Sequence, residues 1–168
     1  MAEILRIFIS PEHNYFGHHG QEAGTSTTTE VTSADCVTGS GIVGDRFFGF
    51  KPDYKGQITF FEIESHEYLC RILEVDGPDP SVFRRNVLTR GISLNDLIGK
   101  RFTLQGILFE GSQEASPCYW MDQAFAPGAE RALRGRGGLR ARILSDGILQ
   151  IGDGVLEVVG DAEPVDAE

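Results

Sequence analysis

"LRARILSDGILQIGDGVLEVVG", residues 139–160, alternates apolar and polar side chains on both sides of Asp146-Gly147. A period of two marks a strand with one buried face. An Asp-Gly pair between two such runs is the strongest short-range sign of a β-hairpin. The stretch therefore predicts a hairpin turning at Asp146-Gly147 and, with it, a β-rich, mainly antiparallel fold. Other short runs agree, being rich in β-branched and aromatic residues: "ILRIFIS" (4–10), "VTSADCV" (31–37), "GQITFFE" (56–62), "RRNVLT" (84–89), "RFTLQG" (101–106) and "ILFEGSQ" (107–113). Helical spacing of Ile63, Leu69, Cys70, Ile72 and Leu73 predicts a helix over 62–75. "SLNDLIGK" opens on Ser93 as an N-cap and stops at Gly99, and a further helical stretch follows Pro117 until Pro127 interrupts it. Seven to nine strands with two or three helices predict a mainly β fold, a largely antiparallel β-barrel core with a few flanking helices.

The 168 residues suit one domain over 1–160, followed by an acidic tail at 161–168 with too few apolar residues to pack. Between the first two strands lies "SPEHNYFGHHGQEAGTSTTTE", a long polar connection of the kind that is functional or mobile. Gly39, Gly41, Gly44 and Gly49 in "TGSGIVGDRFFGF" imply turns and close backbone approach. A formal net charge of -10 argues against nucleic acid and anionic membranes as partners, because the long-range field repels polyanions. No signal-like segment and no run of about 18 apolar residues is present, so the expectation is a soluble, cytoplasmic protein.

Three cysteines, Cys36, Cys70 and Cys118, are an odd and widely spaced set that suggests neither a disulfide framework nor a four-ligand zinc site. Cys70 on the apolar side of its helix and Cys36 at a strand end read as small buried hydrophobes. Cys118 differs, since Pro117 suits a helix entry, where free N–H groups and the dipole favour a thiolate. Local sequence leaves both a reactive and a buried thiol open for it. His13, His18 and His19 lack the spacing of a metal site, and a hydrolytic dyad of Cys118 would need one of these or His66 within reach.

Eight of the twelve arginines fall in two stretches: Arg84, Arg85 and Arg90, then Arg131, Arg134, Arg136, Arg140 and Arg142 around Gly135, Gly137 and Gly138. Arg140 and Arg142 read as outward residues of an alternating strand, and Arg131 as one on a solvated helix face. Arg134 and Arg136 in "RGRGG" suit a phosphate-bearing ligand, because glycines let backbone N–H groups converge on an anion and guanidinium groups bind phosphate bidentately.

Four stretches taken together, "GIVGDRFFG" (41–49), "RRNVLTRGISLNDLIGKRF" (84–102), "LFEGSQEASPC" (108–118) and "GRGGLRARILSDGILQIGD" (135–153), resemble in order and spacing a stand-alone MOSC domain, the family named for the C-terminal domain of molybdenum-cofactor sulfurase. The resemblance implies a MOSC-type β-barrel and an invariant cysteine that falls on Cys118. In related proteins that thiolate ligates the molybdenum of a pterin cofactor or is thought to carry sulfur destined for a metal centre. Arg84, Arg85 and Asn86 match the family's "RRN" segment and are expected at the pocket wall, with satisfaction of neighbouring backbone as the alternative for Asn86. Gly44, Asp45 and Arg46 match "GDR", where an internal Asp–Arg contact is as good a reading as a ligand contact.

The implied cofactor is of the molybdopterin type, with Cys118 as metal ligand and Arg84, Arg85, Asn86, Arg134, Arg136, Gly137 and Gly138 as the cofactor-binding set. Pyridoxal phosphate, also bound within the wider family, belongs to the sulfurase's desulfurase domain, and no such domain is expected here. The extra N-terminal barrel of the amidoxime-reducing relatives and the iron–sulfur domain of some bacterial members are likewise not expected here. Tyr119-Trp120 also stands where some members place a basic residue. Two functions follow as expectations. One is a molybdenum-dependent reductase of N-hydroxylated compounds fed by an external electron donor. The other is a non-enzymatic sulfur carrier that uses a Cys118 persulfide made with a cysteine desulfurase.

Overall fold

The computed structural model describes residues 2–12 and 27–163. The predicted histidine-rich connection and its His13, His18 and His19 lie outside the described residues, as do 164–168 of the tail. Twelve strands are described, more and shorter than expected. In chain order they are β1 (Ala2–Ile9), β2 (Thr29–Val31), β3 (Ser33–Val37), β4 (Gly41–Ile42), β5 (Ile58–Glu62), β6 (Val87–Arg90), β7 (Lys100–Leu104), β8 (Ile107–Glu114), β9 (Leu139–Ile143), β10 (Gly147–Gln150), β11 (Gly152–Gly154) and β12 (Leu156–Asp161). Helices α1 (Ile63–Ile72), α2 (Trp120–Ala124) and α3 (Ala129–Ala132) join them, with 3-10 turns at Pro80–Phe83 and Leu94–Leu97.

The stretch 139–160 is β-rich as predicted, but it does not form a hairpin. Its four strands go to four different places: β9 lies between β5 and β8, β10 pairs with β3, β11 with β1, and β12 with β7. A two-residue hairpin turn needs positive φ, and neither Asp146 nor Gly147 has it. The Asp146 carboxylate instead accepts from the Thr38 N–H (2.7 Å) and hydroxyl (2.8 Å), 108 residues away. Gly147 is a glycine for space, because a Cβ there would lie 2.6 Å from Ile107 Cγ1. The tight hairpin sits at Gln105-Gly106, where both residues have positive φ (51° and 79°) between Leu104 and its partner Ile107.

The main sheet runs β11-β1-β6-β5-β9-β8-β7-β12, with β2 on β1, and a smaller sheet runs β10-β3-β4. One pair, β5 with β6, is parallel, so the sheet is mixed. The two ends of the long sheet, β11 and β12, are separated in the chain by Val155 alone. The sheet therefore curls until its edges meet, as a barrel does, but no ladder joins those edges among the described residues. Inside the curl pack Ile4, Ile7, Ile58, Phe60, Val87, Phe102, Phe109, Leu139, Ala141 and Ile143.

Adjacent residues on three strands point the other way into a second core. Phe8, Phe61 and Leu88 meet Leu69 of α1, Phe83, and Met121, Phe125, Ala129 and Leu133 around α2 and α3. Burial on both faces explains why β5 is apolar without alternation ("ITFF"). Stacking of Phe83 on Phe125, with centroids 5.3 Å apart, carries the helical layer onto the turn that precedes β6. Residues 161–163, assigned by composition to the tail, make contacts: Ala162 N–H donates to Gly99 O (2.8 Å) and Glu163 pairs with Arg101 (3.5 Å).

Arg6 on β1 joins Glu30 (2.8 Å) and Asp79 (2.7 Å), and Asp79 also accepts from Ser81 N to cap the 3-10 turn at Pro80–Phe83. Hydrogen bonding from Arg6 holds both carboxylates below their ordinary values, Asp79 at about 2. A group whose folded pKa is depressed contributes stability above its unfolded value and loses it as pH falls through the folded one. These pairs are half-exposed, so each contributes about 1 kcal/mol or less. Urea midpoints are expected to fall more steeply from about pH 4 to about pH 2 in the wild type than in Arg6→Met; parallel slopes would show that the pairs contribute nothing.

Candidate functional site

The "RRN" segment is a turn rather than the start of the strand predicted over 84–89, since β6 begins at Val87. Arg84 closes the 3-10 turn at Pro80–Phe83 in the left-handed conformation (φ 57°, ψ 30°), is 6% exposed, and its Nη2 donates to Glu12 O (2.6 Å). Arg85, next along, sends its guanidinium to three backbone carbonyls: Phe83 O (3.2 Å), Ala115 O (2.9 Å) and Gly137 O (3.1 Å). Asn86 is buried and occupied by the fold. Its Oδ1 accepts from the N–H (3.0 Å) and hydroxyl (3.1 Å) of Thr59, and its Nδ2 donates to Phe8 O (3.2 Å). The structure thus places the Asn86 side chain as a tie between β1, β5 and the start of β6.

Gly137 and Gly138 are buried where chains approach too closely for a side chain. A Cβ on Gly137 would lie 2.2 Å from Ala115 O, and one on Gly138, whose φ is +103°, 2.2 Å from Phe60 O. With Ala115 N–H donating to Gly138 O (2.9 Å), these glycines lay the 115–118 segment along the start of β9. The N–H groups of Gly135 and Gly137 converge as the "RGRGG" motif suggests, but on a protein group: Glu114 Oε2 accepts from both (3.1 and 3.3 Å). Arg134 and Arg136 are exposed, and the Arg136 guanidinium lies 4.0 Å from the centre of the Tyr68 ring.

Cys118 is exposed. The helix expected to start at it begins two residues later and has five residues, so the dipole invoked for the thiol is short; Cys118 O accepts from Met121 N–H (3.0 Å). Trp120 is buried, and Tyr119 stacks on it while staying 40% exposed. The other thiols behave as small hydrophobes. Burial pushes Cys36 up to about 12 and, helped by Asp76 and Glu67, raises Cys70. His66 Nε2 lies 2.9 Å from Pro78 O and beside Cys70, so the one described imidazole is committed elsewhere than Cys118.

Cys118 nevertheless has cationic company. Burial and the charge of Arg140 push Arg85 down to about 10, Cys118 and Glu114 push it back up, and Arg46 lowers it further. At neutral pH Arg85 is still cationic. Four groups from four segments therefore share one electrostatic neighbourhood: Arg46 from the "GDR" turn, Arg85 before β6, Cys118 after β8 and Arg140 on β9. Arg46 keeps its internal contact with Asp45 (3.3 Å) and donates to Arg84 O (3.3 Å). Asp45 in turn accepts from Ser10 N–H (3.0 Å).

Arg140, read from alternation as a solvated residue, is half-buried and makes no ion pair among the described residues. Arg142, on the same face, is paired with Asp53 (2.9 Å) and Glu110 (3.4 Å). Arg46 and Arg140 stand outside the site set drawn from the sequence, the one weighed there as an internal or a ligand contact and the other read as outward. The first was marked by "GDR", and the second only by its register opposite Thr59 and Gln113. An exposed soft thiol in the field of the Arg85 guanidinium fits a thiolate-bound, anionic metal cofactor. By exposure, a thiol reagent on the folded protein is expected to modify Cys118 first, and Cys118→Ala to abolish the fast phase; fast labelling of Cys36 instead would contradict the packing described.

No curated protein matches the chain in sequence. Among solved structures it superposes on the YuaD protein of Bacillus subtilis with a TM-score of 0.70 at 22% identity, covering 93% of this chain and 95% of that one. YiiM from Geobacillus stearothermophilus gives 0.67 at 17% identity, covering 95% and 75%, and YiiM from Escherichia coli 0.63 at 20%, covering 97% and 72%. These likenesses establish a shared fold. The MOSC domain model matches residues 18–156, taking in the "GDR" turn, the "RRN" turn, the Cys118 loop and the glycine turn. The chain that brings these four segments together belongs to the MOSC domain family.

Proposed function

We propose that this protein binds a molybdenum cofactor of the molybdopterin type, with Cys118 as metal ligand, and reduces N-hydroxylated compounds with electrons from an external donor. The observation that carries the reading is the exposed Cys118 thiol within electrostatic reach of Arg85, around which Arg46 and Arg140 also gather. Membership of a family associated with this cofactor supports it. Bound there, the cofactor supplies a two-electron metal centre at the thiol.

The chain's own residues do the rest. Arg46 and Arg140 add positive charge around Arg85 that suits an anionic ligand. Arg85 adds charge while spending three N–H groups on the carbonyls that hold the Cys118 loop in place. Arg134 and Arg136, exposed at the glycine turn, would hold a phosphate tail. In the overall reaction an N–O bond breaks, two electrons come from the donor and two protons from solvent, and the products are the N–H compound and water.

A second reading is favoured by the exposure of Cys118, which lets another protein's active site reach the sulfur: the thiol carries a persulfide received from a cysteine desulfurase. The two are separated by purifying the protein from a host that makes the cofactor and measuring molybdenum and pterin. About one equivalent of each is expected in the wild type and background levels in Cys118→Ala. If neither co-purifies, the cofactor reading fails. If the mass increment of one sulfur atom then appears on Cys118 after incubation with a desulfurase and cysteine, the carrier reading replaces it.

A further inference from the structure

We infer that Glu114 is an internal anion seated in the place of a ligand's phosphate, and that phosphate enters the site by exchanging with it at the N–H groups of Gly135 and Gly137. This rests on the reading that the site takes a phosphate-bearing ligand. Two backbone N–H groups aimed at one oxygen form an anion-binding concavity. Here that oxygen is Glu114 Oε2, while Oε1 makes no hydrogen bond to the described residues. The turn is braced from behind. Asn95 Nδ2 donates to Gly135 O (2.8 Å), Arg136 N–H donates to Leu133 O (2.7 Å), and the Arg136 side chain lies on Tyr68. At Gly135 the turn is open, since a Cβ there would meet nothing within 4 Å, whereas Gly137 is buried against Ala115.

Arg134 and Arg136 flank the turn exposed, and neither makes an ion pair among the described residues, although the chain carries 25 acidic residues. The Glu114 carboxylate offers that place one charge and engages it through one oxygen. A phosphate brings a second charge and further acceptors for the same N–H groups and guanidinium groups. Exchange would also reach the thiol. Glu114 is followed at once by Ala115, whose carbonyl Arg85 holds, and Cys118 ends that short segment.

The test uses the cofactor-free full chain with inorganic phosphate at constant ionic strength. In calorimetric titration, Glu114→Gln, which keeps an acceptor and loses the charge, is expected to bind phosphate about tenfold tighter than wild type. Adding Arg134→Ala and Arg136→Ala should reverse the gain. Equal affinity of wild type and Glu114→Gln would overturn the inference. Because the variant could fail to fold, the wild type gives a second readout: phosphate should shift the amide resonances of Gly135 and Gly137 together and saturably, and unmoved resonances would equally overturn it. The parent reading stands or falls separately. Molybdenum that co-purifies without phosphate exchange removes Glu114 from the account alone, whereas exchange without molybdenum leaves an anion site and removes the cofactor.

Discussion

The guanidinium of Arg85 holds three backbone carbonyls from three distant parts of the chain, Phe83, Ala115 and Gly137. The site depends on this contact. A desolvated cation is costly unless its N–H groups are hydrogen-bonded. Neutral carbonyls meet that need without cancelling the charge, as a carboxylate partner would. Arg85 therefore does two things at once: it fastens the Cys118 loop and the glycine turn to the turn before β6, and it leaves a positive field beside the thiol. Lysine could not replace it, having no planar fork to reach three acceptors. Gly137 belongs to the same constraint, because a side chain there would push Ala115 O away from the guanidinium.

That fastening matters because the sheet alone does not define the site. Neighbouring residues on β1, β5 and β6 send one side chain into the curled sheet and the next into the helical layer, as Phe60 and Phe61 do. Both faces are thereby spent on packing. The polar chemistry collects where the helical layer gives out, on the segments that join strands to helices. Asn86 shows the division of labour: matched to a family motif, it is consumed in joining three strands, while Arg84 and Arg85 on the same turn reach outward to other loops.

The sequence disclosed what is local. Strand runs, α1, the 3-10 turn after Ser93 and the glycine-rich turns were all legible, because period and φ preference act over a few residues. Partner choice was not. Asp146-Gly147 carries the composition of a hairpin, yet its carboxylate answers Thr38 and its glycine makes room for Ile107, contacts that no short window contains. The same limit hid Arg140, whose alternation reads outward although the outer face there is half-covered. It also hid Glu114, whose proximity to Gly135 arises only when β8 and β9 pair. Cys118 stood out in the sequence first through the helix entry after Pro117 and then through family resemblance; the helix itself is short and begins two residues later.

Arg85 positions the Cys118 loop independently of the core. Amide hydrogen exchange in the wild type and in Arg85→Met tests this most directly. Protection at Ala115, whose N–H donates to Gly138 O, should collapse in the variant while that of Phe60, Phe109 and Ala141 in the core stays as it was. Unchanged protection at Ala115, or a loss spread evenly through the core, would contradict the account.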